Sequence, residues 1–237
     1  MTRAALGFLN WLSLRRLTGA VRRVYGSAVV VFFLIFLATQ FHIVYYVSRT
    51  LPNMMAFCLT NLAYSEMIQS RRALGLLVLF FTGTVFRVEV GVLAIVYGTV
   101  GVLTGQAYTS AVLRTCLVGC VIGLTISLQV DSYFWQQVPM LPEAAGFYYN
   151  VILGKASKWG RSPPYQYILD ITKVMLNPMA LPLMAFGASM DERINLELIP
   201  ALVYVGILSL QAHKEWRFIV YIFPMFTVMM ATGAAWM

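Results

Sequence analysis

Long apolar runs alternate with short polar breaks along most of this chain. A bilayer core about 30 Å thick requires roughly 20 apolar residues per helix, and several of the runs reach or approach that length. The pattern therefore predicts membrane-spanning helices at about 28–48, 52–68, 73–86, 88–103, 111–130, 167–189, 196–210 and 218–237. The lipid, rather than water, is the expected solvent for this fold.

The polar breaks predict where the helices begin and end. Pro52, just inside the second run, is typical of a helix start. Arg87 and Glu89 form a charged corner between the third and fourth runs, and Pro178 and Pro182 interrupt the sixth. From about 131 to 165 turn-forming and aromatic residues are mixed, which predicts one long interfacial loop.

The first 27 residues differ from the rest because arginines surround only a short apolar stretch. This segment does not have the form of a cleavable signal. We expect a cytosolic or interfacial basic segment at 1–27, followed by a single transmembrane domain at 28–237. The predicted fold class is all-α, a multi-pass transmembrane helical bundle.

Composition supports a membrane class and argues against two others. Hydrophobic residues make up 60% of the chain and charged residues 11%, against roughly 45–50% and 25% in soluble domains. The net charge of +8 is spread between apolar runs without a basic stripe, so no nucleic-acid partner is expected. The three cysteines lie inside apolar segments and suggest neither a disulfide framework nor a metal site.

The alternation of helix directions predicts which polar residues meet. If the basic segment is cytosolic, as the positive-inside tendency favours, Arg71, Arg72 and the acidic turn at 191–193 fall on the same side. The other polar breaks then fall at the opposite, lumenal edge: Arg49, Arg87, Glu89, Asp131, Trp159 and the run from His213 to Arg217.

The run His213-Lys214-Glu215-Trp216-Arg217 stands out between two apolar segments. If the last helix begins there, His213, Trp216 and Arg217 share one face by their spacing. Cations beside the free amide groups of a helix start make a phosphate site. An interfacial anchor of Trp, Lys and Arg side chains is the plainer alternative.

The motif blocks of the chain resemble those of glycosyltransferase family 22, the dolichyl-phosphate-mannose-dependent mannosyltransferases. His213 to Phe218 matches the HKE-x-RF signature of that family. Three more blocks resemble the family in order and spacing: Gln40-Phe41-His42 followed by Ser48 to Asn53, then Phe86 to Glu89, and then Val130 to Trp135. Asn150 with the segment from Lys155 to Pro163 is most similar to the branch that adds an alpha-1,6-linked eighth mannose to the dolichol-linked oligosaccharide.

The resemblance implies a GT-C-like membrane fold in the endoplasmic reticulum with a lumenal active face. It implies inverting transfer from dolichyl-phosphate mannose to a dolichol-linked oligosaccharide, without a metal or other cofactor, and contact with membrane lipid. His213, Lys214 and Arg217 would bind the donor phosphate. A supporting lumenal site would comprise Arg49, Arg87, Glu89, Asp131, Trp159 and Glu215.

The resemblance also implies what this sequence does not contain. The family carries its expected general base, an acidic residue, in a first lumenal loop that would lie upstream of Met1, so the catalytic base is left unassigned. We expect the sequence to be incomplete at both ends and inactive by itself. Three alternatives stay open: a glycosylphosphatidylinositol-anchor or alpha-1,2 mannosyltransferase of the same family, a non-catalytic remnant that binds lipid or a partner, and a transporter.

Overall fold

A computed structural model describes residues 1–175 and 179–237, and these residues form helices, turns and loops without a strand. Pro178 lies outside the described residues. Within the described ranges there are twelve α-helices: α1 Thr2–Tyr25, α2 Ser27–Thr39, α3 Phe41–Tyr46, α4 Pro52–Met67, α5 Arg72–Val85, α6 Val88–Leu103, α7 Thr109–Trp135, α8 Pro142–Phe147, α9 Gln166–Met175, α10 Ala180–Met190, α11 Glu192–Ser209 and α12 Phe223–Trp236. The all-α class is confirmed.

The helices follow the apolar runs, although some boundaries differ: the sixth run is divided into α9 and α10, and α12 begins only at Phe223. The first run is two helices, because the chain leaves the helical conformation at Gln40 between α2 and α3. The long loop begins later than predicted, because α7 continues through Asp131 to Trp135. The Asp131 carboxylate accepts a hydrogen bond from the Ser127 hydroxyl one turn earlier, which satisfies the carboxylate within the helix.

The basic segment at 1–27 is not an isolated tail. Its residues form α1, which lies parallel to α4: Asn10 donates to the Met54 carbonyl, and Arg16 pairs with Glu66 at the far end of α4. Leu17 and Val21 of α1 are buried in the common core. The position of this segment relative to a membrane stays a prediction.

The bundle has two chemically different ends. At one end Arg16 and Arg71 pair with Glu66, Arg72 approaches Glu197, and Arg193 lies over the ring of Tyr25. We call this the arginine end. The opposite end carries the loop from 136 to 165 and the run from 213 to 218, and we call it the cavity end. The longer helices from α4 to α7 run alternately between the two ends, as the predicted alternation requires.

Close packing of small residues holds α7 and α12 to their neighbours. Thr115, Gly119, Gly123 and Ser127 are buried at four-residue spacing and face α5, a pattern that lets helix backbones approach within a membrane. In the centre, α12 is buried on every side from Phe223 to Gly233 and packs against α10 and α2.

Among the described residues, α7 is the single helix whose length and composition alone suit a membrane span. Its outward face is apolar, since Leu113, Leu117 and Val121 are exposed there. The helices α2, α5, α6 and the segment Val220–Trp236 are apolar but shorter. The number of membrane passes stays a prediction.

Candidate functional site

A cavity of about 420 Å³ opens at the cavity end, within the range of small-ligand sites. Three carboxylates, one guanidinium, an imidazole and several aromatic rings line it. Their sources are the α5–α6 corner, α8 with the turn that follows, the short helix Lys155–Trp159, α9, and the segment after α11. The long loop and the 213–218 run therefore build one site.

Arg87 and Glu89 form the first wall of the cavity. Arg87 Nη2 lies 2.6 Å from Glu89 Oε1, and Arg87 Nε lies 3.1 Å from Glu89 Oε2, a two-pronged ion pair. The guanidinium also lies 5.8 Å from the ring centre of Phe218. The positive charge at this wall is therefore already neutralised by its own neighbour.

Glu143, on α8, faces the Arg87–Glu89 pair and was not among the expected site residues. Its Oε2 accepts a hydrogen bond of 2.9 Å from the Val88 backbone N–H, which fastens the loop to the start of α6. Burial raises the pKa of Glu143 above its usual value. Within the described ranges Glu143 forms no ion pair, so it is the cavity carboxylate without a charged partner of its own. Its position after Pro142 inside an aromatic loop was the available sequence signal.

Trp159 offers the cavity an exposed aromatic face. The side chain is 64% exposed, and its Nε1–H donates a 3.0 Å hydrogen bond to Asn150 Oδ1. Gly154 and Gly160 flank this short helix at φ 63° and 120°, conformations that favour glycine. The ring is therefore held in place without being covered.

The run from His213 to Arg217 does not begin the last helix. Glu215 is extended, a short 3₁₀ helix follows at Trp216–Phe218, and α12 begins at Phe223. The side chains of Asn53 and Tyr204 donate to the carbonyls of Arg217 and Phe218, which an α-helix would use internally. The expectation that the last helix begins at this run is therefore wrong, and the binding of a phosphate by its residues stays a prediction.

Glu215 organises the charged side chains of this run. Its Oε1 lies 3.0 Å from His213 Nε2, and its Oε2 accepts from Arg217 Nε at 2.9 Å and from Arg217 Nη2. Burial opposes ionisation of Glu215, but the hydrogen bonds from His213 and Arg217 hold its pKa below the usual value. Arg217 is 38% exposed, so its guanidinium remains accessible to an anion.

Lys214 is buried, in contrast to Arg217. Its Nζ donates to the Gln211 carbonyl at 2.5 Å and to the Ser162 carbonyl at 3.5 Å. Next to this contact, the Ser162 backbone N–H donates to the Ala212 carbonyl. Lys214 thereby fastens the long loop to the segment after α11, a positioning role that its sequence did not predict.

The structure brings together five of the nine expected site residues in the cavity lining: Arg87, Glu89, Trp159, His213 and Glu215. Lys214 and Arg217 adjoin this group in the chain but lie outside the described lining. Arg49 lies over the ring of Tyr45 at 4.4 Å, and Asp131 contacts Ser127 within α7. Asn53, which holds the Arg217 carbonyl, was missed as a positioning residue, and its sequence signal was its place beside Pro52.

The profile of one protein family matches residues 1–237 of this sequence. The chain belongs to the Alg9-like mannosyltransferase family. Within it, the chain is 36% identical over 206 residues to the "Dol-P-Man:Man(7)GlcNAc(2)-PP-Dol alpha-1,6-mannosyltransferase" of Saccharomyces cerevisiae, covering 86% of the chain and 37% of that protein. The protein of the same description from Arabidopsis thaliana is 30% identical over 233 residues, covering 98% and 46%.

A more distant member is the "GPI mannosyltransferase 3" of Candida albicans, which is 33% identical over 110 residues, covering 46% of the chain and 22% of that protein. The chain spans less than half the length of each of these relatives. No solved structure matches the chain.

The Glu143→Gln variant is expected to be more stable than the wild type at neutral pH. Because burial raises the pKa of Glu143, ionisation destabilises the folded state as the pH rises through that pKa. Glutamine keeps an acceptor for the Val88 N–H and does not ionise. Thermal unfolding across a pH series should show the two proteins converge below pH 4.5, the usual value for glutamate. The exposed Glu192→Gln variant is the control, and a difference that is independent of pH would contradict the assignment.

Proposed function

We propose that this protein transfers mannose from dolichyl-phosphate mannose to a dolichol-linked oligosaccharide in an alpha-1,6 linkage. The observation that carries the proposal is the cavity at one end of the bundle, where carboxylates and an exposed tryptophan surround a space of about 420 Å³. Carboxylates bind sugar hydroxyls, and an aromatic face packs against the apolar side of a sugar ring. The cavity therefore suits a sugar better than an isolated phosphate.

The roles divide between the cavity and its rim. Glu143, Glu89 and Trp159 line the space in which a mannosyl unit would lie. Arg217, together with His213, would stabilise the departing dolichyl phosphate from the rim, because its guanidinium is the accessible cation of the run. Lys214 supports this arrangement by holding the loop rather than by contacting the phosphate.

The choice of branch within the family rests on the share of the chain that each relative matches. The alpha-1,6-mannosyltransferases match most of the chain, including the segment with Asn150 and Trp159, whereas the GPI mannosyltransferase matches less than half. Because the Asn150–Trp159 hydrogen bond shapes the cavity, this segment is a reasonable source of acceptor selectivity. The alpha-1,6 branch is therefore preferred over the GPI branch.

The direct test supplies donor and acceptor to membranes. Microsomes from cells whose only source of this activity is the protein expressed from its native gene should convert the seven-mannose lipid acceptor to an eight-mannose product. Linkage analysis should find the new mannose in an alpha-1,6 bond. Microsomes without the gene are the control. Transfer to a glycosylphosphatidylinositol precursor instead would reassign the branch, and no transfer to either acceptor would overturn the proposal.

We further propose that the bundle crosses the endoplasmic reticulum membrane several times, with the cavity end in the lumen. A glycosylation acceptor site inserted in the loop between Trp135 and Trp159 should then be modified in microsomes, because that loop lies at the cavity end. The same site inserted beside Arg71, at the arginine end, should stay unmodified. A gel shift with glycosidase treatment measures both, and the reverse pattern would invert the orientation.

A further inference from the structure

A second cavity, of about 590 Å³, lies at the arginine end, at the opposite ends of α6 and α11 from the first. The end of α1, the end of α4, the start of α5, the α6–α7 turn and the start of α11 surround it. Its lining combines apolar and polar side chains: Val24, Tyr25, Met67, Ile68, Gln69, Ser70, Arg72, Gln106, Arg193, Leu196 and Glu197. None of the proposed transfer chemistry uses it.

Two hydrogen-bond acceptors in this lining are buried without a partner. Glu197 is 3% exposed, and its Oε2 makes no hydrogen bond within residues 1–175 and 179–237. Oε1 of Gln106 is also buried and unpaired in the same ranges. Buried acceptors are nearly always paired in folded proteins, because an unpaired one costs free energy. A ligand that donates hydrogen bonds in this cavity would therefore satisfy both unpaired acceptors.

The same cavity contains Arg72, a cation whose N–H donors are not all paired. Arg72 Nη2 lies 3.6 Å from Glu197 Oε1, beyond ordinary hydrogen-bond distance. No side-chain hydrogen bond of Arg72 joins it to another described residue, and the side chain is only 14% exposed. Arg193, by contrast, is occupied by Asp191 and by the Val24 carbonyl. Arg72 is thus the lining cation that is suited to an anion.

We propose that this cavity binds the head group of a phospholipid that carries a primary ammonium. The phosphate would lie against Arg72, and the ammonium would donate to Glu197 Oε2 and Gln106 Oε1. One ligand then satisfies both unpaired acceptors and the open guanidinium. The proposal relies on the proposed function only for the presence of a bilayer at this end.

The surroundings favour a lipid over a soluble compound with the same head group. Val24, Ile68 and Leu196 form an apolar part of the cavity wall. Farther along α11, Ile199 and Leu202 are exposed, which gives acyl chains an apolar surface to follow. A lipid would fit these polar and apolar surfaces, because its head group would lie in the cavity and its acyl chains would lie along α11.

The test measures which lipid the purified protein retains. Native mass spectrometry of the full chain, in detergent with equal amounts of phosphatidylethanolamine and phosphatidylcholine of the same chains, should show about tenfold preference for the first, because phosphatidylcholine has no N–H donor. In the Gln106→Leu and Glu197→Gln variants the protein should retain the two lipids in nearly equal amounts. Gln137→Leu, an exposed change at the cavity end, should keep the preference.

Each result decides the question. Equal retention by the wild type would mean that water fills the cavity and would overturn the proposal, whether or not the variants fold. Displacement of the lipid by soluble glycerophosphoethanolamine at comparable concentration would assign the site to the free head group and overturn the lipid source. A retained preference for phosphatidylethanolamine in a protein that fails the mannosyl-transfer assay would support this inference and reject only the proposed function.

Discussion

Replacing Arg217 by alanine is expected to lower the rate of mannosyl transfer by about 30- to 1000-fold, which corresponds to roughly 2–4 kcal/mol of transition-state stabilisation. Arg217 is the accessible cation of the run from His213 to Arg217, and its partner Glu215 holds it in position through two hydrogen bonds. In the proposed reaction, the negative charge on the leaving dolichyl phosphate would grow as the glycosidic bond breaks. Loss of the guanidinium should therefore lower kcat more than it changes the KM for the acceptor.

Two further variants make this result interpretable. Arg217→Lys keeps a charge but loses the planar pair of donors, so an intermediate rate is expected. Arg114→Ala removes an exposed arginine from α7 near the arginine end and should leave transfer unchanged. A folded Arg217→Ala protein with the wild-type rate would leave Arg217 as an interfacial anchor, the alternative that the sequence kept open.

The second large effect is on stability, at the crossing of α10 and α12. A Cβ atom on Gly187 would lie 2.3 Å from the Met229 carbonyl oxygen, and one on Gly233 would lie 2.2 Å from the Leu183 carbonyl oxygen. The obstructing atoms belong to the backbone, so no side-chain rotation relieves the clash. Gly187→Ala is expected to destabilise the fold by about 1–3 kcal/mol or more, because the two helices must separate.

The matched control is Gly206→Ala on α11. A Cβ at Gly206 would meet no atom within 4 Å, so this variant should be neutral or slightly stabilising by about 0.5–1 kcal/mol. Thermal unfolding of both variants in the same detergent, followed by circular dichroism, measures the difference. Equal unfolding temperatures for the two alanine variants would mean that α10 and α12 are not in such close contact.

The positions of most helices were predictable because local features set them. Pro52 marks the start of α4, and the Arg87–Glu89 corner separates α5 from α6 as expected. The helix α7 ends later than the sequence predicts, because Asp131 does not stop it. A neighbouring serine one turn away satisfies Asp131 and lets the helix continue to Trp135.

The sequence predicted which residues lie at the same end of the bundle, but it did not predict how their side chains are arranged there. Alternating helix directions bring Arg87, Glu89 and His213 to one end, which the order of apolar and polar segments already implies. That order contains no information on which side chain is buried. Lys214 and Arg217 are three residues apart in one motif, yet the first is buried against carbonyls and the second is accessible.

The sequence by itself determined that this chain is an all-helical protein of a mannosyltransferase family, because apolar run length and short motifs are local properties. Only the tertiary structure decided that Glu143 enters the cavity, that Lys214 fastens the loop, and that Glu197 and Gln106 share a second cavity. The physical reason is that burial and hydrogen-bond pairing depend on side chains brought together from distant segments. Glu197 and Gln106 line one cavity because α11 packs against α6, which ends just before Gln106.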